Sequence, residues 1–202
     1  MMLLTQRNPV AFNRLFTSSL LVAALALGAC SKSEPPAPAT AATREVSLAA
    51  LQTQAKGFTV GSTMSANTVY VLFDTQCSHC AHLWQASMAL HKRVKFVWIP
   101  VGMISATSTA QGAAILTAAD PGALMTEHEA SLLAGKGGIS ASSSITPELA
   151  QAIKKNTQLL NDFGAEAVPF VVARNAKTGQ TVSQAGALST AALADFLGID
   201  QP

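Results

Sequence analysis

Apolar residues along the chain fall into runs whose spacing changes repeatedly, and each spacing predicts an element. Residues 68–73 (TVYVLF) form a nearly unbroken apolar run of β-formers, the pattern of a strand covered on both faces. From residue 78 to about 91 the spacing changes. Cys80, Leu83, Trp84, Met88 and His91 recur at three- and four-residue steps and mark one face of a helix. Residues 94–101 (VKFVWIPV) predict a second strand. Ahead of these, residues 46–55 predict a short helix, and Phe58, Thr59 and Val60 a short extended segment ending at the turn residue Gly61.

Residues 105–164 read as helical. An Ala-rich stretch over 109–119 is broken at Asp120-Pro121, residues 123–134 resume it, and a Gly/Ser stretch over 135–144 interrupts it again. Thr146-Pro147-Glu148 is a helix start: a capping hydroxyl, proline at the first helical position and an acid in the first turn. Gly164 closes that helix. Residues 169–174 (PFVVAR) and 181–184 predict a hairpin joined near Asn175 and Gly179. Ser189 caps a last helix that runs through Leu197 and stops at Gly198. The order is strand–helix–strand, helical insertion, strand–strand–helix, which fits an α/β sandwich. No internal repeat is visible.

Composition narrows the function. Of 202 residues, 49% are hydrophobic and 12% charged, enough apolar material for one globular domain and too much for a disordered chain. Thirteen Lys and Arg against eleven Asp and Glu leave +2, which argues against nucleic acid as a partner. Residues 20–30 are the longest apolar run, far short of the roughly 20 residues of a membrane-spanning helix.

That run nevertheless has a purpose. Arg7 and Arg14 precede it, and the small residues Gly28 and Ala29 follow, as in a secretory signal over 1–29. Leu27-Gly28-Ala29-Cys30 resembles the lipobox of bacterial lipoproteins, which implies that Cys30 carries lipid and becomes the first mature residue. The mature chain would then be neutral, so the membrane would be reached through the lipid and not through basic charge. Ser31 resembles the sorting residue of outer-membrane lipoproteins. Residues 30–43, with Pro35, Pro36 and Pro38, read as a flexible tether with a reach of roughly 40 Å. The folded domain then occupies 44–202.

The remaining cysteines, Cys77 and Cys80, enclose Ser78 and His79 where a buried strand meets a helix. Three residues apart at a helix start, they are within reach of a disulfide. Cys77 is expected exposed at the helix end, where orphan N–H groups and the helix dipole favour its thiolate. Cys80 falls on the apolar stripe and is expected to be shielded. An attacking sulfur with a waiting partner is what thiol–disulfide exchange needs, with no cofactor beyond the Cys77–Cys80 disulfide itself. An imidazolium at His79 would stabilise the thiolate further, whereas Asp74 would oppose it.

Other readings compete. An inert disulfide would close so short a loop that it adds little stability. A copper or zinc metallochaperone could use Cys77 and Cys80, but no second CxxC or HxxxH accompanies them, and no metal ligand is assigned. Haem attachment needs histidine where Ala81 stands. His91 and His128 read as helix-surface residues.

The segment VYVLFDTQCSHCAHLW is similar to the active-site segment of thioredoxin-fold proteins, specifically the DsbC/DsbG group of periplasmic disulfide isomerases and reductases. The segments VGMISATSTAQGAAILTAADP, EHEASLLAGKGG and LLNDFGAEAVPFVV resemble the helical insertion and following strand of the DsbG-like catalytic domain. The resemblance spans residues 70–198 and implies a thioredoxin fold with a helical insertion between the central strand pair and the cis-proline strand. It implies that Cys77 is the nucleophile, Cys80 the resolving cysteine, and Pro169 a cis-proline that, with Val168, holds a substrate peptide. It further implies exported cysteine-containing proteins as substrates, a DsbD-type membrane reductase as electron donor, and a location on the periplasmic side of a bacterial membrane.

Two features resemble the DsbA-type oxidases instead: Val168 before the proline, where DsbC and DsbG carry threonine, and the Ser78-His79 dipeptide. A dithiol oxidase is therefore the alternative. Only 26 residues, 44–69, precede the catalytic segment, too few for that group's dimerisation module, so a monomer is expected. Thioredoxins often place a buried carboxylate six residues before the nucleophile. Val71 holds that position, so that proton carrier is expected to be absent.

Overall fold

A computed structural model describes residues 45–202. The expected signal over 1–29, the lipid site at Cys30 and the tether over 30–43 lie outside the described residues. The helices are α1 (Leu48–Gln54), α2 (Ser78–Met88), α3 (Ser108–Thr117), α4 (Pro121–Leu133), α5 (Pro147–Asp162) and α6 (Thr190–Leu197). The strands are β1 (Phe58–Gly61), β2 (Thr68–Asp74), β3 (Lys95–Val101), β4 (Phe170–Arg174) and β5 (Thr181–Ala185).

The strands form one mixed sheet in the order β1-β3-β2-β4-β5. β2 and β3 are parallel, with Tyr70 opposite Val97 and Leu72 opposite Ile99, and α2 makes the crossover between them. The other three pairings are antiparallel. β2 lies in the middle, which is why its sequence is apolar at successive positions. Val69, Val71 and Phe73 join one core, while Tyr70 and Leu72 join the other. The first core is closed by Leu83 and Trp84 of α2, Met125 of α4 and Leu193 and Leu197 of α6. The second is closed by Leu51 of α1 and Leu159 and Leu160 of α5. Each such side chain contributes about 1.5–3 kcal/mol on burial.

Pro100 sits inside β3, where a missing N–H would normally break a ladder. β1 reaches only as far as Trp98, so it asks no N–H of Pro100. Its carbonyl accepts a bond from Asn156 Nδ2 at 2.9 Å, and Asn156 also holds both backbone groups of Lys56. This buried asparagine ties α5 to the sheet.

The helix expected over 78–91 ends at Met88. Leu90 N–H bonds Ser87 O and His91 N–H bonds Met88 O, tightening the chain into a turn that drives Leu90 fully into the core. His91 is therefore a turn residue, half-buried and edge-on to Trp84 with ring centroids 5.9 Å apart, not the helix-surface residue expected. The caps match the sequence. Thr146 Oγ1 accepts from Leu149 N–H ahead of Pro147, Ser189 Oγ accepts from Ala192 N–H, and Gly198 closes α6 at φ 67°.

Candidate active site at the start of α2

β2 delivers the chain to the sheet's C-terminal end, and α2 starts at Ser78, four residues beyond Asp74. Cys77 is the cap of that helix: its backbone is extended, and its Sγ accepts from Cys80 N–H at 3.3 Å. The sulfur does what an Asp or Ser side chain does at other helix starts, and the orphan N–H groups reward negative charge there. The Cys77 thiol is brought down from its ordinary 9.0 to about 7. A hydrogen bond from the Cys80 thiol contributes most, burial opposes it, and the backbone N–H groups of Cys80 and His79 assist. Cys80 moves the other way. It is fully buried, and burial first, then donation to Cys77, holds it well above 9.0. Both cysteines are free thiols.

Cys77 is less open than expected, with only 7% of its surface exposed. Part of the cover comes from far away in sequence. The Val168–Pro169 peptide is cis, and Val168 O lies 3.3 Å from Cys77 Sγ, where it accepts from the thiol form. Cys77, Cys80, Val168 and Pro169 thus meet at one place. Ser78 and His79 are exposed, and His79 acts on Cys77 through its backbone N–H.

Asp74 was expected to oppose the thiolate. It does so only as the smallest of the influences on Cys77. Its Oδ1 accepts from Ser108 Oγ at 2.6 Å and Gln76 N–H at 2.9 Å, and its Oδ2 from Met103 N–H at 2.7 Å and Ile104 N–H at 3.0 Å. Four donors fill its oxygens and fasten the end of β2 to the start of α3.

The helical insertion forms a wall beside the dithiol. Gln76 donates to Gln111 Oε1 and Gly137 O, and Gln111 donates to Gly137 O and Ile139 O. The Gly/Ser stretch is therefore anchored at its start. His128, expected on a helix surface, is fully buried. Its Nε2–H donates to Thr75 O at 2.7 Å and its Nδ1 accepts from Ile139 N–H at 3.1 Å, so the ring is neutral, and burial lowers its pKa. Gly138 passes over this ring at φ 85°, and any Cβ there would strike it.

Val71 is an apolar core residue, as its identity requires. A carboxyl group nevertheless couples to the dithiol, and it comes from α4. Glu129 is 1% exposed, and neither of its oxygens has a hydrogen-bond partner. Burial first, then the charge on Cys77, raises its pKa from 4.5 to about 9, and Glu129 in turn raises that of Cys80. No motif in the sequence marks this residue. The available signal was Met125, His128 and Glu129 at three- and four-residue steps, a buried stripe that includes an acid. Among the described residues no three His, Cys, Asp or Glu side chains converge as metal ligands.

The architecture matches solved structures. A periplasmic thioredoxin-like protein from Salmonella enterica serovar Typhimurium superposes with a TM-score of 0.59 at 17% identity, covering 74% of this chain and 92% of that one. The catalytic domain of Proteus mirabilis ScsC superposes at 0.56 and 16% identity, covering 73% and 90%. The chain has a thioredoxin fold.

Within that fold its sequence is DsbG-like. It is 30% identical over 105 residues to the thiol:disulfide interchange protein DsbG of Escherichia coli, covering 51% of this chain and 42% of that protein. It is 29% identical over 141 residues to DsbG of Pseudomonas aeruginosa, covering 68% and 54%. The chain spans about half the length of these curated relatives. No family model matches it.

Proposed function

We propose that this protein is a thiol:disulfide oxidoreductase of the reductase or isomerase type, acting on cysteine-containing exported proteins from the periplasmic side of a bacterial membrane. Cys77 attacks a substrate disulfide and forms a mixed disulfide. Cys80 then attacks Cys77 Sγ and releases the reduced substrate. Val168 and Pro169 hold the substrate peptide beside the sulfur, and Cys30 anchors the chain through lipid. A DsbD-type reductase returns electrons to the Cys77–Cys80 disulfide.

The observation that carries this reading is the opposite displacement of two thiols one helical turn apart: Cys77 down to about 7, Cys80 up. A thiol ionising near ambient pH combines thiolate population with nucleophilicity. The degree of displacement also favours the reductase side over the oxidase alternative. Strong oxidants stabilise their thiolate much further, to a pKa of about 3.5. Met103 and Ile104, tethered to Asp74 by their N–H groups, are 39% and 52% exposed, an apolar surface suited to unfolded polypeptide.

Replacing Cys80 by Ala in the full chain tests the reading. The C80A variant is expected to accumulate covalent complexes with periplasmic proteins that dissolve on reduction, and C77A none. Absence of such complexes from both would overturn it. The redox state of the pair in cells separates the directions: mostly reduced for a reductase or isomerase, mostly oxidised for an oxidase.

A further inference from the structure

Exchange leaves one proton unaccounted for. Cys80 must lose its S–H proton before its sulfur can attack Cys77, and Cys80 is fully buried, out of reach of bulk water. A protein group has to take it. In the mixed disulfide the Cys77 sulfur is bonded and cannot. Asp74 has its oxygens filled by four donors. His128 uses both ring nitrogens, on Thr75 and Ile139. His79 and His82 are exposed on α2, and His91 is turned to Ser87 and Trp84. Besides α2, the elements that pack most against α4 are α3 and β1, and neither carries an ionisable side chain. Glu127, beside it on α4, is exposed.

We propose that Glu129 is the proton carrier of Cys80. It stands on α4, which packs against α2, the helix that carries the dithiol. It is coupled to both cysteines, is shut off from solvent, and has both oxygens free of partners. The inference rests on the exchange reading and adds a residue to it. In the reducing direction the Glu129 carboxylate takes the Cys80 proton as the Cys80 sulfur bonds to Cys77 Sγ. The Cys77–substrate S–S bond breaks, the electron pair leaves on the substrate sulfur, and the dithiol is oxidised as the substrate is reduced. In the reverse direction an attacking thiolate expels the Cys80 sulfur, and the Glu129 carboxylic acid protonates it. The carrier is also timed. Burial first and the Cys77 thiolate second hold Glu129 as the acid. Capture of Cys77 in a mixed disulfide removes the second influence, the acid passes its proton to solvent water, and the carboxylate so formed is the base that takes the Cys80 proton.

An aromatic disulfide that releases a coloured thiolate separates the two steps without any natural substrate. The reduced protein should release one equivalent when Cys77 attacks and a second when Cys80 resolves. In Glu129→Gln the first phase is expected to stay within about twofold of wild type. The second should slow by about tenfold or more at pH 7, and recover as pH rises and hydroxide replaces the carboxylate. Glu129→Met, an apolar filling for the same site, should behave alike and serves if the glutamine variant folds poorly. A second phase with wild-type rate and pH profile in either folded variant would overturn the proposal. A missing first phase in wild type would overturn the exchange reading itself.

Discussion

Asp74 at the end of β2 and Glu129 in the middle of α4 are both carboxylates buried beside the same two sulfurs, and their surroundings are opposite. Asp74 accepts four hydrogen bonds and holds together β2, the 103–104 segment and α3. Glu129 accepts none. A buried carboxylate whose oxygens are filled by several donors acts as structure. One with none is pushed toward the neutral acid and keeps its oxygens available. The contrast shows why burial alone does not tell a fastening from a reagent: the count of donors does.

The contrast can be broken most forcefully at Asp74. Replacing it with Ala leaves Ser108 Oγ and three backbone N–H groups without an acceptor, so a loss of about 3–5 kcal/mol is expected in urea unfolding. A loss below about 1 kcal/mol would mean that those donors find other partners.

The second test uses pH. Glu129 has its folded pKa raised, so the unfolded chain sheds that proton first and stability falls as pH climbs from 4.5 towards about 9. Cys77 in the reduced protein has its folded pKa depressed. Its contribution is complete above 9.0 and is lost as pH falls through about 7. The two slopes have opposite signs between 7 and 9. Unfolding of the reduced protein across this range should therefore show a slope that turns more positive with pH in Glu129→Gln than in wild type. Coincident profiles would remove Glu129 from the electrostatics of the site.

The smallest effect is expected at His79. Its backbone N–H helps Cys77 and survives side-chain truncation, so in His79→Ala the thiolate absorbance of Cys77 should still titrate near 7. A large rise would restore the imidazole to the role that the sequence suggested.

What could be read from the sequence was what is local in it. The strand–helix junction, the cap at Ser189, the proline start at Pro147 and the spacing of the two cysteines each depend on a few neighbouring residues, and the structure has them there. Cys77 was expected to be open because its cover includes Val168, 91 residues away, which no local pattern announces. The sequence alone places His128 at the surface because a helix sequence does not say which side will meet another helix. Once α4 lies against α2, that ring is sealed between Thr75 and Ile139. The same packing brings in Glu129. The cis peptide at Val168–Pro169 is present, but it was anticipated from resemblance, since proline alone does not specify its isomer.

Trp84 and Trp98 are the two tryptophans of the chain, both buried, with ring centroids 5.0 Å apart in the core that also holds Cys77 and Cys80. Trp84 stands one turn beyond Cys80 on the same helix stripe. The pair is therefore a built-in optical probe: indole emission should change when the neighbouring sulfurs pass between dithiol and disulfide, so each turnover can be followed by light without attaching a dye.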